Sequence, residues 1–218
     1  DFSLSRGLGD VYKRQSQEGV KDYMKSICKY SPRDYQIEGV YDALRHNRRL
    51  LISPTASGKS LMIYSLVRYH VERGQNTLIV VPTTSLVEQM YKDFADYGWD
   101  VGSFCHKIYA GRERETDSQV IITTWQSIYK LPRKYFSRFN VVVGDEAHQF
   151  KSKSLISIMT KLADAKYRYG FTGTLDGTQT HKWVLEGLFG PSYKIIKTDE
   201  LMKKGHVCLL YTSDAADE

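Results

Sequence analysis

Cysteine is scarce in this chain, three among 218 residues. Cys28 and Cys105 form no Cys-x-x-Cys pair and sit at no metal-ligand spacing, which argues against a disulfide framework or a zinc site and suits a reducing cytoplasm. Long apolar runs are also lacking. The longest, such as Leu78-Ile79-Val80-Val81, fall far short of the ~20 residues needed to span a bilayer, so no membrane partner is expected. Acidic residues are the minority, 25 against 31 lysines and arginines, and the formal charge is +6. A basic balance favours a polyanionic partner, but it is equally that of an ordinary soluble protein, so charge alone does not name nucleic acid.

The two ends share no periodicity with the rest. Asp10–Gln15, written as one set of codons, reverse-complemented and read in a shifted frame, becomes Cys-Leu-Leu-Tyr-Thr-Ser, the run at Cys208–Ser213. The inverted pair resembles a sequencing-library transposon adapter translated at both ends of a DNA fragment, and Ser5–Gly9 and Asp214–Glu218 match its extensions. Residues 1–15 and 208–218 are therefore expected to be non-native and are left out of fold reasoning. Residues 16–207 suffice for one domain with a sizeable core. Without the three basic and five acidic residues of the two ends, the formal charge rises from +6 to +8. Residues 16–31 read as the end of a truncated N-terminal region, where Lys21, Lys25 and Lys29 recur every four residues as a solvated helix face.

From Pro32 onward short β-branched runs alternate with helical patterns, which predicts repeated strand-helix units and a parallel sheet. Ile37, Val40, Tyr41 and Leu44 predict an amphipathic helix over Asp34–His46. Strands are expected at Leu50–Ile52, Thr77–Val81, Val120–Thr123, Val141–Val143 and Tyr167–Phe171. Helices are expected from Lys59 to about Glu72, after a cap at Thr84 or Ser85, and around Leu155, Ile156, Met159 and Leu162. Gly111–Ser118, rich in charge, reads as an exposed connection.

Two segments carry chemistry. Pro54-Thr55-Ala56-Ser57-Gly58-Lys59-Ser60 lies after a strand and before a helix, the context a phosphate loop requires. Backbone N–H groups of Ala56, Ser57, Gly58, Lys59 and Ser60 would face the phosphates, Gly58 would permit close approach, and the helix N-terminus would add its dipole. Lys59 would reach the β- and γ-phosphates of ATP, and Ser60 would ligate Mg2+. Ser53 stands where the generic motif has its first glycine. Asp145-Glu146-Ala147-His148 follows the run Val141-Val142-Val143, and in a buried parallel sheet that edge presents ligand-contacting groups. Asp145 would hold Mg2+, while Glu146 would orient and deprotonate the attacking water. Adjacent carboxylates could also form a solvated turn, and His148 alone would read as a structural histidine.

With both segments in place, the chain resembles superfamily 2 helicases of the DEAH/DExH kind over nearly all of residues 31–207. The resemblance implies an α/β fold, a RecA-like P-loop NTPase domain at 32–207 with a central, mostly parallel sheet and helices on both faces. Arg33-Asp34-Tyr35-Gln36 looks like the family's adenine-recognition element, which implies that Arg33 and Gln36, with Thr55 of the loop, contact the nucleotide. Val81-Pro82-Thr83-Thr84-Ser85-Leu86 looks like motif Ia and Ile122-Thr123-Thr124-Trp125-Gln126-Ser127 like the Ib/Ic region. Pro82, Thr83, Thr84, Thr124, Trp125 and Gln126 would then grip a phosphodiester backbone without reading sequence. A helix cap and a buried Trp are the plainer readings. Phe171-Thr172-Gly173-Thr174 looks like motif III, so Thr172, Gly173 and Thr174, with His148, would couple the ATP site to DNA and to a second RecA-like domain. Taken alone it would read as a Gly turn after a strand. Leu185–Pro191 and Thr198–Leu201 resemble the exit toward that domain, expected in cis beyond this chain.

The expectation is the ATP-binding motor domain of an ATP-dependent DNA helicase, nearest in motif wording to phage helicases of recombination and repair that remodel branched DNA. RNA is compatible with the same backbone grip. The alternatives are a restriction-type translocase on duplex DNA and a nucleic-acid binding or annealing module with a vestigial ATP site. The retention of Lys59 and Glu146 weighs against the last.

Overall fold

The structure, a computed structural model, describes residues 16–54, 57–109, 116–149, 152–173 and 179–196. Strands β1 (Arg48–Ile52), β2 (Thr77–Val81), β3 (Cys105–Ile108), β4 (Val120–Thr124), β5 (Val141–Gly144), β6 (Tyr167–Thr172) and β7 (Ser192–Lys194) form one sheet in the order β3-β4-β2-β5-β6-β1-β7. Every ladder among the described residues is parallel. The helices are α1 (Gln17–Ile27), α2 (Asp34–His46), α3 (Lys59–Val71), α4 (Thr84–Asp96), α5 (Val101–Phe104), α6 (Trp125–Ile128), α7 (Arg133–Phe136), α8 (Ser152–Lys161) and α9 (Gln179–Phe189).

The inner strands read as continuous apolar runs because helices cover both faces of the sheet. Successive side chains point to opposite faces, so each strand feeds two cores. Leu51, Ile79, Val81, Ile122, Val143 and Tyr169 pack with α1–α4. Leu50, Leu78, Val80, Ile121 and Val142 pack with α6–α9. Burying each such side chain contributes roughly 1.5–3 kcal/mol before chain entropy is counted. On β6, Gly170 admits the close approach of α9: a Cβ there would lie 2.8 Å from Leu50 Cδ1 and 2.8 Å from Phe189 Cγ.

Several expectations need correction. β3 and β7, at the two edges, were not foreseen; both are short and only partly buried, so they lack a continuous apolar signal. Residues 16–31, read as the end of an N-terminal region, pack on the domain. Ser16 caps α1 by accepting from Gly19 N at 3.0 Å. Val20, Tyr23 and Met24 of that helix are buried in the core with α2 and α3, and Tyr64 OH donates to Ile27 O at 2.6 Å. The cap of α4 is Thr83, not Thr84 or Ser85, its hydroxyl accepting from Leu86 N. Ile156 is 41% exposed, and Ile158 takes the core position instead. At the end of the charged connection Arg138 donates to the carbonyls of Thr116 and Ser118, which holds those residues against the domain; residues 110–115 lie outside the described residues. The end segments 1–15 and 208–218, and Thr198–Leu201, lie outside the described residues.

Candidate ATP site at the carboxyl edge of the sheet

In a parallel sheet the carboxyl ends of the strands make the ligand-binding edge, and the phosphate-loop candidate, the acidic motif and the segments that follow β2, β4 and β6 all emerge there. The phosphate-loop candidate leaves β1 as an extension of the ladder, with Ser53 N donating to Thr172 O at 2.9 Å beside β6. Ser57 N donates to Pro54 O, and the Ser53 and Ser57 hydroxyls lie 2.5 Å apart, both buried. Ser53, in the place of the generic first glycine, therefore braces the loop from inside. Gly58 turns the chain into α3 with φ 76°, a left-handed conformation that favours glycine. Thr55 and Ala56 lie outside the described residues.

The upstream Arg33-Asp34-Tyr35-Gln36 segment meets this loop directly. Gln36 is buried, accepts from Arg33 N through Oε1 at 2.9 Å, and donates from Nε2 to Ser57 O at 3.0 Å and Gly58 O at 3.3 Å. Tyr35 OH donates to the same Ser57 carbonyl at 3.0 Å and accepts from Arg33 Nη1 at 2.8 Å. In this geometry the amide expected to read an adenine edge binds the phosphate loop. Tyr35 was not singled out from sequence; its only mark was its place inside the Arg33–Gln36 motif.

Lys59 and Glu146 form an ion pair, joining the start of α3 to the end of β5. Glu146 has φ 48°, an uncommon conformation for a residue with a side chain. Asp145 continues the ladder through N–H to Val80 O at 3.0 Å and accepts from Glu146 N at 2.9 Å. Burial pushes its carboxyl up to about 6 and the Glu146 charge adds to that, while Lys59 pulls the other way. The two neighbouring carboxylates thus have different surroundings: Asp145 is desolvated and Glu146 is paired. His148 follows on a 3-10 turn, Ala147–Gln149. Its Nδ1 lies 2.8 Å from Thr172 Oγ1 and 3.4 Å from Glu146 Oε2, so it sits between the acidic motif and the end of β6.

Among known proteins, the family described as type III restriction enzyme, res subunit, matches residues 29–177. The chain belongs to this family. It is 35% identical over 181 residues to the ATP-dependent DNA helicase UvsW of Enterobacteria phage T4, covering 81% of this chain and 36% of that protein. It is 30% identical over 176 residues to the DNA 3'-5' translocase XPB2 of Sulfurisphaera tokodaii, covering 79% of this chain and 37% of that protein. The crystal structure of T4 UvsW aligns with a TM-score of 0.74 at 33% identity, over 82% of this chain and 67% of that chain. The fold is that of a first, RecA-like motor domain of a superfamily 2 helicase, and the chain spans about a third of the curated relatives it matches.

The remaining motifs of this Res-subunit family member also converge. Val81 of β2 is in register with Thr124 of β4, which sets the two expected backbone-gripping segments side by side, and Gln126 Nε2 donates to Pro82 O at 3.4 Å. Pro82 and Thr124 are buried, Trp125 is half-buried with its ring against Tyr129, and Thr83, Thr84 and Gln126 are exposed. Gly173 follows Thr172 on the same edge, whereas Thr174 lies outside the described residues. His181 of α9 approaches His148 O with its Nε2 at 3.2 Å, a contact that no sequence signal indicated. Ser60, expected to face a cation, has its Oγ 2.7 Å from Tyr97 OH. Those residues are 37 positions apart, and nothing in the sequence connects them.

Proposed function

We propose that this chain is the ATP-binding motor domain of an ATP-dependent DNA helicase that remodels branched DNA in phage-type recombination and repair. The observation that carries the reading is the Lys59–Glu146 ion pair, which brings together the cation of a phosphate loop and a carboxylate beside the desolvated Asp145. Lys59 would bind the β- and γ-phosphates, the loop N–H groups from Gly58 to Ser60 would cradle them, and Gln36 would hold the loop in that shape. Arg33, whose guanidinium bonds the Tyr35 hydroxyl, and Gln36 would stand next to the bound base. Glu146 would accept a proton from the attacking water once Lys59 is shared with the phosphates.

Magnesium fits the donor chemistry here, a buried carboxylate at Asp145 and a hydroxyl at Ser60. Both are hard oxygen ligands, and this cation needs few from protein when phosphates and water supply the rest. When bound it would neutralise charge on the transferring phosphoryl group. His148 and Thr172 would pass changes at Glu146 to the end of β6 and so to DNA and to a second RecA-like domain in cis. Thr83, Thr84, Trp125 and Gln126 would grip one strand's backbone. The likeness to a phage DNA helicase favours DNA over RNA.

Lys59→Ala tests the reading. The expected result is loss of nucleotide binding and turnover with unchanged far-UV circular dichroism, and retained affinity for ATP would sink the assignment. The Res-subunit family match supports a second reading, a translocase that moves along duplex DNA without separating strands. A strand-displacement assay beside a triplex-displacement assay on the complete protein separates the two.

A further inference from the structure

Ser60 and Lys59 occupy the first turn of α3, yet their side chains have different partners. Lys59 pairs with Glu146, whereas the Ser60 hydroxyl lies 2.7 Å from Tyr97 OH and hydrogen-bonds the Asp93 carboxylate. Asp93 is on α4 and Tyr97 caps its C-terminus, with Tyr97 N donating to Asp93 O at 2.9 Å. Four residues apart on a helix, they share one face. The Tyr97 ring is held in place by Tyr64, 5.1 Å between centroids, and by Tyr30, 6.0 Å. Burial pushes the Tyr97 hydroxyl up to about 12, so it is neutral at physiological pH. Burial also raises the Asp93 carboxyl, and its hydrogen bond with Ser60 opposes that rise.

A serine hydroxyl has one hydrogen to donate and two lone pairs to offer. Donated to the Asp93 carboxylate, the hydrogen is anchored; Tyr97 OH then donates to one lone pair, and the other is left to point elsewhere. Without that anchor the hydroxyl rotates freely, and ligating a cation costs it rotational entropy as well as a bond to water. The arrangement matters only if Ser60 ligates the metal of a bound nucleotide, so the inference rests on the proposed ATP site.

We propose that Tyr97 and Asp93 are positioning residues for Ser60, orienting its hydroxyl so that the loop accepts Mg2+ together with the nucleotide. Neither touches the phosphates or the cation. They act through Ser60, and their contribution is confined to the magnesium-dependent part of nucleotide affinity.

The test measures the dissociation constant of a fluorescent ATP analogue on the full chain, in EDTA and across a Mg2+ titration. The ratio of the two constants isolates the metal contribution. Tyr97→Phe keeps the ring against Tyr64 and removes only the hydroxyl. We expect the Mg2+ concentration at half-effect to rise about three- to ten-fold, the size of one neutral hydrogen bond. In a Ser60→Ala background the same substitution should have no further effect, because the group it positions is gone. An unchanged magnesium dependence in Tyr97→Phe overturns the proposal. So does an equal effect in the Ser60→Ala background, which would make Tyr97 merely structural. If the unsubstituted chain shows no magnesium-dependent binding, the ATP site itself fails and the inference with it.

Discussion

Asp145 and Glu146 are adjacent carboxylates in different surroundings, the first buried and the second paired with Lys59. Asp145 is buried, and its carboxyl is pushed up from 3.8 to about 6, chiefly by desolvation. A folded-state pKa above the unfolded one means that the native protein holds the proton more tightly. The associated stability is fully present below pH 3.8 and is lost as pH rises through about 6. Asp145→Asn keeps the acceptor for Glu146 N and cannot ionise. In EDTA and without nucleotide, the variant should therefore match the parent near pH 3.5 and exceed it by on the order of 2–3 kcal/mol at pH 8. Denaturant unfolding at both pH values measures this, and a gap independent of pH would mean that Asp145 is not desolvated. At this scale the residues of the phosphate loop and the acidic motif were legible because each motif is contiguous. The partners that hold them were not. Tyr97 beside Ser60 and His181 beside His148 are products of helix packing across the fold, which no local pattern encodes.

At the scale of elements, legibility followed burial. β2, β4 and β5 are fully covered, and their runs announce them to within a residue or so. β3 offers Cys-His-Lys-Ile and β7 Ser-Tyr-Lys at the sheet margins, where one side of the strand needs no apolar residue and the alternation dissolves. α1 was read from one side only. Lys25 and Lys29 are exposed as their spacing suggests, but Val20, Tyr23 and Met24, also at helical spacing, form a buried face that the lysines drew attention away from. Gly170 makes the element-scale case for packing over propensity. Between Leu50 and Phe189 there is no room for a methyl group, so Gly170→Ala must push α9 away from β6 or shift β1. The expected cost is roughly 1–3 kcal/mol, as for other overpacked cores. Urea unfolding should show a lower midpoint with an unchanged slope, and an unaltered midpoint would mean that α9 yields without cost.

For the whole molecule, the question is how much catalysis one motor domain can support. The proposed site would supply a phosphate-binding cation in Lys59, a base in Glu146 and oxygen donors in Ser60 and Asp145, and the Lys59–Glu146 ion pair joins the phosphate-loop candidate to the acidic motif. Phosphoryl transfer also builds charge on the side of the γ-phosphate that faces away from such a loop. In enzymes of this type an arginine brought from another domain or partner neutralises that charge, and it is worth about 10³–10⁵ in rate. The T4 and Sulfurisphaera relatives are about three times as long as the segments they share with this chain, which leaves room for such a donor outside the matched domain. This chain alone should therefore bind Mg2+-ATP but hydrolyse it slowly, with DNA giving little stimulation. Joined to the second RecA-like domain proposed above, it should gain at least ~10³ in turnover and become DNA-dependent. Steady-state phosphate release with and without single-stranded DNA measures both. Rapid DNA-stimulated turnover by this chain alone would show that the charge is neutralised from within the one domain, and the two-domain reading of its mechanism would fall.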